Sequence, residues 1–134
     1  MVLRCMLIDD GTSGLSRQAI GAAIRIHKKF GPGLLENAYR VPLVYELKKL
    51  GFAVECERPV PLVHEAVVVP RAYKLDVVVN GRLVIEVKSI QQLAHVHIQQ
   101  LRTYLRLSEI PVGLIINFNV PILRYGIRRV ILDR

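Results

Sequence analysis

Asp76, followed ten residues later by Glu86-Val87-Lys88, carries the chemistry in this chain. The stretch reads YKLDVVVNGRLVIEVKS, two strand-like runs joined by Asn80-Gly81. Most neighbours of the charged residues are Val, Ile and Leu, so the runs are expected to be buried. A buried carboxylate or ammonium group is costly unless it is paired or binds a metal. Two acids and a lysine at the end of a sheet make a charged site in an apolar setting. Such a site suits a divalent cation and a phosphodiester.

Phosphodiester hydrolysis needs three things: charge neutralised on the phosphate oxygens, a water positioned and deprotonated, and the leaving oxygen stabilised. Mg²⁺ (or Mn²⁺) serves the first by Lewis acidity and helps the second by lowering the pKa of bound water. It takes oxygen ligands, usually one or two carboxylates with waters and phosphate oxygens. Asp76 and Glu86 are the candidate carboxylates, and the Val87 carbonyl is a candidate third ligand. Lys88 would orient the attacking water or stabilise charge on the phosphate. Glu36 would complete the cation shell or hold a metal-bound water. Gln100 and Tyr104 are hydrogen-bonding groups suited to fixing the lysine, a carboxylate or a phosphate.

The elements that must position these residues follow from hydrophobic spacing. Ile20, Ala23, Ile24 and His27 recur at helical intervals, with Ser16 as the expected cap of the first turn. Gly31-Pro32-Gly33 interrupts the pattern. A second helix is expected from Leu34 to Leu50, with Leu35, Ala38, Leu43, Leu47 and Leu50 as its apolar face and Gly51 as its C-terminal stop. Pro42 should kink it. Phe52–Cys56 and Val60–Val69 read as strands, with Pro59, Pro61 and Pro70 marking edges or turns. Tyr73–Val79 and Leu83–Val87 read as a hairpin. Gln92–Leu107 is helical, with Ala94, Ile98, Leu101 and Leu105 on one stripe and His97, Gln100 and Tyr104 on another. Val112–Asn117 is a strand covered on both faces, and a last strand covers Leu123–Leu132. The order is α-α-β-β-β-α-β-β, an α/β fold with a mixed sheet.

Register decides whether the acids meet. Glu86 and Lys88 alternate onto one face, with Val87 opposite. If the loop is the two residues Asn80-Gly81, Val79 pairs with Arg82 and Asp76 with Ile85. Asp76 and Glu86 then fall on opposite faces. A different loop length or a bulge brings them together.

Composition bounds the function classes. At 134 residues the chain reads as one domain, with residues 1–15 as an N-terminal extension. With 51% apolar residues it is not a disordered chain. No apolar run reaches the roughly eighteen residues that suggest a membrane span. The start MVLRCMLIDDG does not read as a signal peptide, which points to the cytoplasm. Cys5 and Cys56 form neither a metal-ligand spacing nor a disulfide framework. His27, His64 and His95 lack partner spacing, so zinc is not expected. The formal charge of +8 favours a polyanionic partner such as nucleic acid. Arg124, Arg128 and Arg129 near the C-terminus are candidate phosphate contacts, although a solvated strand edge explains them equally well.

The set Asp76, Glu86 and Lys88 on adjacent strands, preceded by a helical glutamate, resembles the PD-(D/E)xK nuclease superfamily. Gln100-x-x-x-Tyr104 resembles the QxxxY motif of its recombination-repair exonuclease branch. More narrowly, Gly33-Leu34-Leu35-Glu36-Asn37-Ala38-Tyr39 is similar to the signature of the GxxExxY family. The likeness runs through IHKKFGPGLLENAY, LDVVVN, VIEVKS, QLRTYL and GLIINFNVPILRYGIRR, covering about residues 16–131. It implies a restriction-endonuclease-like core and metal-dependent cleavage of DNA or a related nucleic acid, in DNA processing, repair or defence. It carries over Asp76, Glu86 and Lys88 as the catalytic core, Glu36 as an auxiliary acid, and Gln100 and Tyr104 as supporting residues. Strands of that superfamily commonly bend or bulge at the site, which eases the register conflict. Leu75 stands where the superfamily's name has proline, and Pro42 interrupts the Glu36 helix.

Each reading has a plainer counterpart. The acids and Lys88 could form a structural ion pair, and Glu36 could be an acid favoured by a helix dipole. Tyr39 is expected to pack behind Glu36, and His97 to be a surface or satisfied histidine. The alternative function is a catalytically inactive nucleic-acid-binding module or assembly subunit with the same fold. A weaker third is a phosphohydrolase for a small nucleotide. No appended recognition domain is visible, so a homodimer or a partner protein is a natural source of specificity.

Overall fold

Apolar stripes at helical spacing build the first two elements of the computed structural model, which describes residues 12–132. The expectations for Cys5 and for the first eleven residues lie outside that range. Helix α1 spans Thr12–Phe30 and buries Leu15, Ala19, Ala22, Ala23 and Ile26. It therefore begins before Ser16. Leu15 belongs to the same stripe as Ala19, and burying it extends the helix by a turn. Ser16 is buried inside α1 instead of capping it, and its Oγ has no hydrogen-bond partner among the described residues.

Helix α2 spans Glu36–Lys49 and buries Tyr39, Leu43 and Leu47. Leu35 and Leu50 do not belong to its buried face: Leu35 is extended and 82% exposed, and Leu50 caps the C-terminus. Gly51 follows with φ 91°, in the left-handed region open to glycine. The helix continues through Pro42. Ala38 is exposed, so water can serve the carbonyl that Pro42 leaves without its helical donor.

Five strands form one sheet in the order β1-β2-β3-β4-β5. The short runs expected between 52 and 79 merge into two long strands, β1 (Val54–His64) and β2 (Val67–Val79). Pro59 and Pro61 are tolerated because β1 is an edge strand. Strand β3 (Leu83–Lys88) runs parallel to β4 (Val112–Asn117), and the other neighbours are antiparallel. Helix α3 (His95–Ser108) links β3 to β4. It starts three residues later than expected, where the Ala94 N–H donates to His97 Nδ1 at 2.9 Å. His97 thus serves a helix start. Leu123–Gly126 forms a 3-10 turn before β5 (Ile127–Ile131), in place of one long final strand.

Helices α1 and α2 cover one face of the sheet, packing on Val77, Val79, Leu83, Ile85, Val87, Leu114 and Ile116. Helix α3 covers the other, packing on Leu75, Val78, Val84, Ile115 and Val130. Every residue of β4 is buried, as its unbroken apolar run implies. The result is a mixed five-stranded sheet between helical layers, consistent with the restriction-endonuclease-like core.

Candidate active site

The loop between β2 and β3 settles the register. Val79 pairs with Leu83, Val78 with Val84 and Val77 with Ile85. The loop is therefore the three residues Asn80-Gly81-Arg82, not two, and continuing that register sets Asp76 opposite Glu86. Asn80 and Gly81 take φ values of 53° and 64°, a conformation that Asn and Gly tolerate. Asn80 is also held by Ala53: its N–H donates to the Ala53 carbonyl at 2.7 Å, and its Oδ1 accepts from the Ala53 N–H at 2.9 Å.

Regular pairing of β2 with β3 stops at Val77 and Ile85, and side chains take over. The Asp76 N–H donates to Glu86 Oε1 at 3.2 Å. The Val87 N–H donates to Asp76 Oδ2 at 2.9 Å. Each strand thus donates a backbone N–H to the other strand's carboxylate. The pleat also turns over here. Val77 and Val79 pack toward α1 and α2, while Leu75 and Tyr73 pack toward α3. Residues two apart in a regular strand share a face, so the strand is bent at Asp76. In an extended strand the N–H and C=O of one residue lie along the same edge. The Val87 carbonyl therefore faces the Asp76 side, while the Lys88 carbonyl faces β4 and accepts from the Phe118 N–H at 2.9 Å.

Burial pushes the Glu86 carboxyl up to about 7, with the Asp76 charge adding to the rise. The Asp76 N–H and the Lys88 ammonium act in the opposite sense, and Glu36 pushes it further up. Lys88 shares the Glu86 face by alternation. No ion pair ties it to either acid among the described residues, so the plain Lys88–carboxylate pair is not what forms here. Burial also raises the Tyr104 phenol, aided by the Glu86 charge, while Gln100 opposes the rise. Tyr104 is buried on α3 beside Tyr73, with ring centroids 5.2 Å apart, and Gln100 is exposed one turn earlier.

Glu36 is exposed in the first turn of α2. With Leu35, Asn37 and Ser89 it lines a hollow of about 410 Å³ at the end of β3. Its position is built by the preceding loop. Gly33 has φ 104°, the Tyr39 hydroxyl donates to the Gly31 carbonyl, and the same hydroxyl oxygen accepts from the Leu34 N–H at 3.0 Å. Ser89 Oγ donates to the Leu34 carbonyl, tying the loop to the strand that carries Glu86. Tyr39 is buried, in keeping with the packing role expected of it, and its hydroxyl also locks the loop before Glu36.

Among the described residues, no three or more of His, Cys, Asp and Glu lie close enough together to hold a metal ion. The candidate donors, the Asp76 and Glu86 carboxylates and the Val87 carbonyl, are all oxygen. That set fits Mg²⁺ or Mn²⁺, which keep several waters and share phosphate oxygens, and it does not suit zinc.

The arginines noted near the C-terminus lie beyond β4. Arg124 donates to the Tyr125 hydroxyl at 2.9 Å and packs over its ring. Arg128 donates to the carbonyls of Tyr125 and Ile127 and lines a small hollow with Gln91, Gln92 and Asn117. Arg128 shares the face of Val130, and Arg129 alternates to the other side of β5.

Two features escaped the sequence. Asn117, buried at the end of β4, accepts from the Ile90 N–H at 3.1 Å and donates to the Ile90 carbonyl at 3.0 Å. It fixes the chain just past Lys88. Arg40, one helical turn after Glu36, forms the site's ion pair, with Nη1 at 3.3 Å from Asp76 Oδ1. Its i+4 spacing puts it on the Glu36 side of α2, but no local spacing pointed to Asp76, 36 residues away.

A sequence model of the PD-(D/E)XK nuclease superfamily matches residues 13–130. The chain belongs to that superfamily, whose members are usually nucleases and typically use divalent metals. No curated protein and no solved structure matches the chain. Among the described residues, no helix is long and apolar enough to cross a membrane.

Proposed function

We propose that the protein is a Mg²⁺- or Mn²⁺-dependent nuclease of the GxxExxY branch, hydrolysing phosphodiester bonds in DNA or a related nucleic acid. One observation carries the reading: Asp76 and Glu86 stand opposite each other where β2 and β3 part, each accepting a backbone N–H from the other's strand. Those bonds hold two partly buried carboxylates side by side. A fold with no use for a cation gains little from such a pair.

Asp76, Glu86 and the Val87 carbonyl would hold the cation. When bound, it supplies Lewis acidity and a lowered pKa for water. Lys88, beside Glu86 and outside any ion pair seen here, orients the attacking water and offsets charge on the phosphate. Glu36, across the hollow at the end of β3, holds a water on the solvent side. Tyr104 and Gln100 brace the Glu86 side of the site from α3. Arg124, Arg128 and Arg129 add positive charge for the nucleic-acid backbone. A homodimer or a partner protein supplies selectivity, in DNA processing, repair or defence.

The test is incubation of purified protein with single-stranded, duplex and branched DNA, with Mg²⁺, with Mn²⁺ and with chelator. Metal-dependent cutting is expected, and Lys88→Ala and Asp76→Asn should abolish it while DNA binding persists. Binding with no cutting under any metal condition would favour the inactive binding module. Cutting that survives chelator or both substitutions would place the activity elsewhere.

A further inference from the structure

We propose that Arg40 is a resident counter-cation of this site, shared between Asp76 and Glu57, and that a divalent cation displaces it onto Glu57. The inference rests on the reading of Asp76 and Glu86 as a metal centre. It adds two residues, Arg40 and Glu57, that regulate occupancy without touching the metal.

The geometry is specific. A single nitrogen, Arg40 Nη1, lies 3.3 Å from Asp76 Oδ1 and 3.2 Å from Glu57 Oε1. The Arg40 side chain is only 15% exposed, so its charge needs partners. Glu57 is 49% exposed, and its Oε1 also accepts from Lys74 Nζ at 3.3 Å. Glu57 lies across from Asp76, between the pairs Cys56–Val77 and Arg58–Leu75. Its φ is 53°, a left-handed conformation disfavoured for glutamate. The chain thus adopts an unfavourable backbone where a second carboxylate meets the guanidinium.

This arrangement gives Arg40 two stations. Without metal, its charge offsets that of Asp76. A divalent cation on the same carboxylate would repel the guanidinium strongly at such short range. Glu57 is already in contact and partly solvated, so it can take the whole charge with little movement of α2. Arg40 then competes with the metal, and Glu57 assists it. Neighbouring residues acting in opposite directions distinguish this device from a simple structural ion pair.

The experiment titrates Mn²⁺ alone into the full chain, reading bound and free ion by electron paramagnetic resonance. Circular dichroism confirms folding of each variant. Arg40→Gln should tighten Mn²⁺ binding about tenfold, the scale expected for removing one nearby charge partly screened by solvent. Glu57→Gln should weaken it by about threefold on the same grounds. The double variant should match Arg40→Gln alone, because Glu57 acts through Arg40. Arg40→Lys, which keeps the charge, should stay near wild type.

Weaker or unchanged binding by Arg40→Gln, or a double variant equal to the sum of the two effects, would overturn the proposal while leaving the metal centre intact. Wild-type protein that binds no Mn²⁺ would remove the metal centre itself, and this proposal with it. If Arg40→Gln does not fold, Glu57→Gln decides: its carboxylate is half-exposed, and unchanged or tighter binding overturns the proposal.

Discussion

Tyr39 of α2 stacks on Phe118, just beyond β4, with ring centroids 4.4 Å apart and planes within 9°. Both residues are fully buried. The stack joins the helix that carries Glu36 and Arg40 to the chain leaving the sheet beside Lys88. Phe118 is itself bonded through its N–H to the Lys88 carbonyl. This apolar contact therefore helps to fix α2 relative to the end of β3, where the candidate residues lie.

Tyr39→Phe should keep this stack and lose the hydroxyl that serves the Gly31 carbonyl and the Leu34 N–H. The expected loss of stability is about 1–2 kcal/mol, because two partly buried backbone groups lose their partner. Thermal and urea denaturation measure it. Unchanged stability would show that the hydroxyl does not hold the Glu36 loop.

The Glu86 carboxyl makes the metal-free protein sensitive to pH. Burial holds it up at about 7 in the folded protein, above the ordinary carboxylate value of 4.5. Between those values the native state holds a proton that the unfolded chain releases. Stability therefore falls as pH rises through that window, and levels off above it. Glu86→Gln removes this penalty and keeps an oxygen to accept the Asp76 N–H. In chelator at pH about 8 the variant should exceed wild type by up to about 3 kcal/mol, and by little at pH about 5. Melting curves across pH give the comparison. A variant no more stable than wild type at either pH would refute the assigned burial penalty.

Gly126 sits against the strand end that follows the site. A Cβ there would collide with the Asn117 carbonyl oxygen and press on Val120 Cγ2 at 3.0 Å. The main obstacle is backbone, which cannot rotate away. Gly126→Ala should destabilise by about 3 kcal/mol and disturb the Asn117–Ile90 bonds that follow Lys88. Chemical denaturation reports the first effect, and amide exchange at Ile90 the second. A neutral substitution would mean that the 3-10 turn can shift freely.

Hydrophobic patterning determined much of this protein by itself. The unbroken apolar run of β4, the period of α3 and the α/β order all follow from the need to bury side chains on both faces of one sheet. The types of residue at the site were legible for a similar reason: acids and a lysine inside β-branched runs stand out from their surroundings. Tertiary structure alone decided how they meet. A two-residue loop and a three-residue loop are both compatible with Asn80-Gly81, and they differ by one step of register, which exchanges the faces of the sheet. The bonds between Asn80 and Ala53, the residue just before β1, and the bend at Asp76 depend on contacts far apart in the chain, and local spacing carries no record of them. Arg40 was hidden for the same cause. Its partners Glu57 and Asp76 are distant in the chain, and only the packing of α2 against the β1–β2 hairpin brings its charge to theirs.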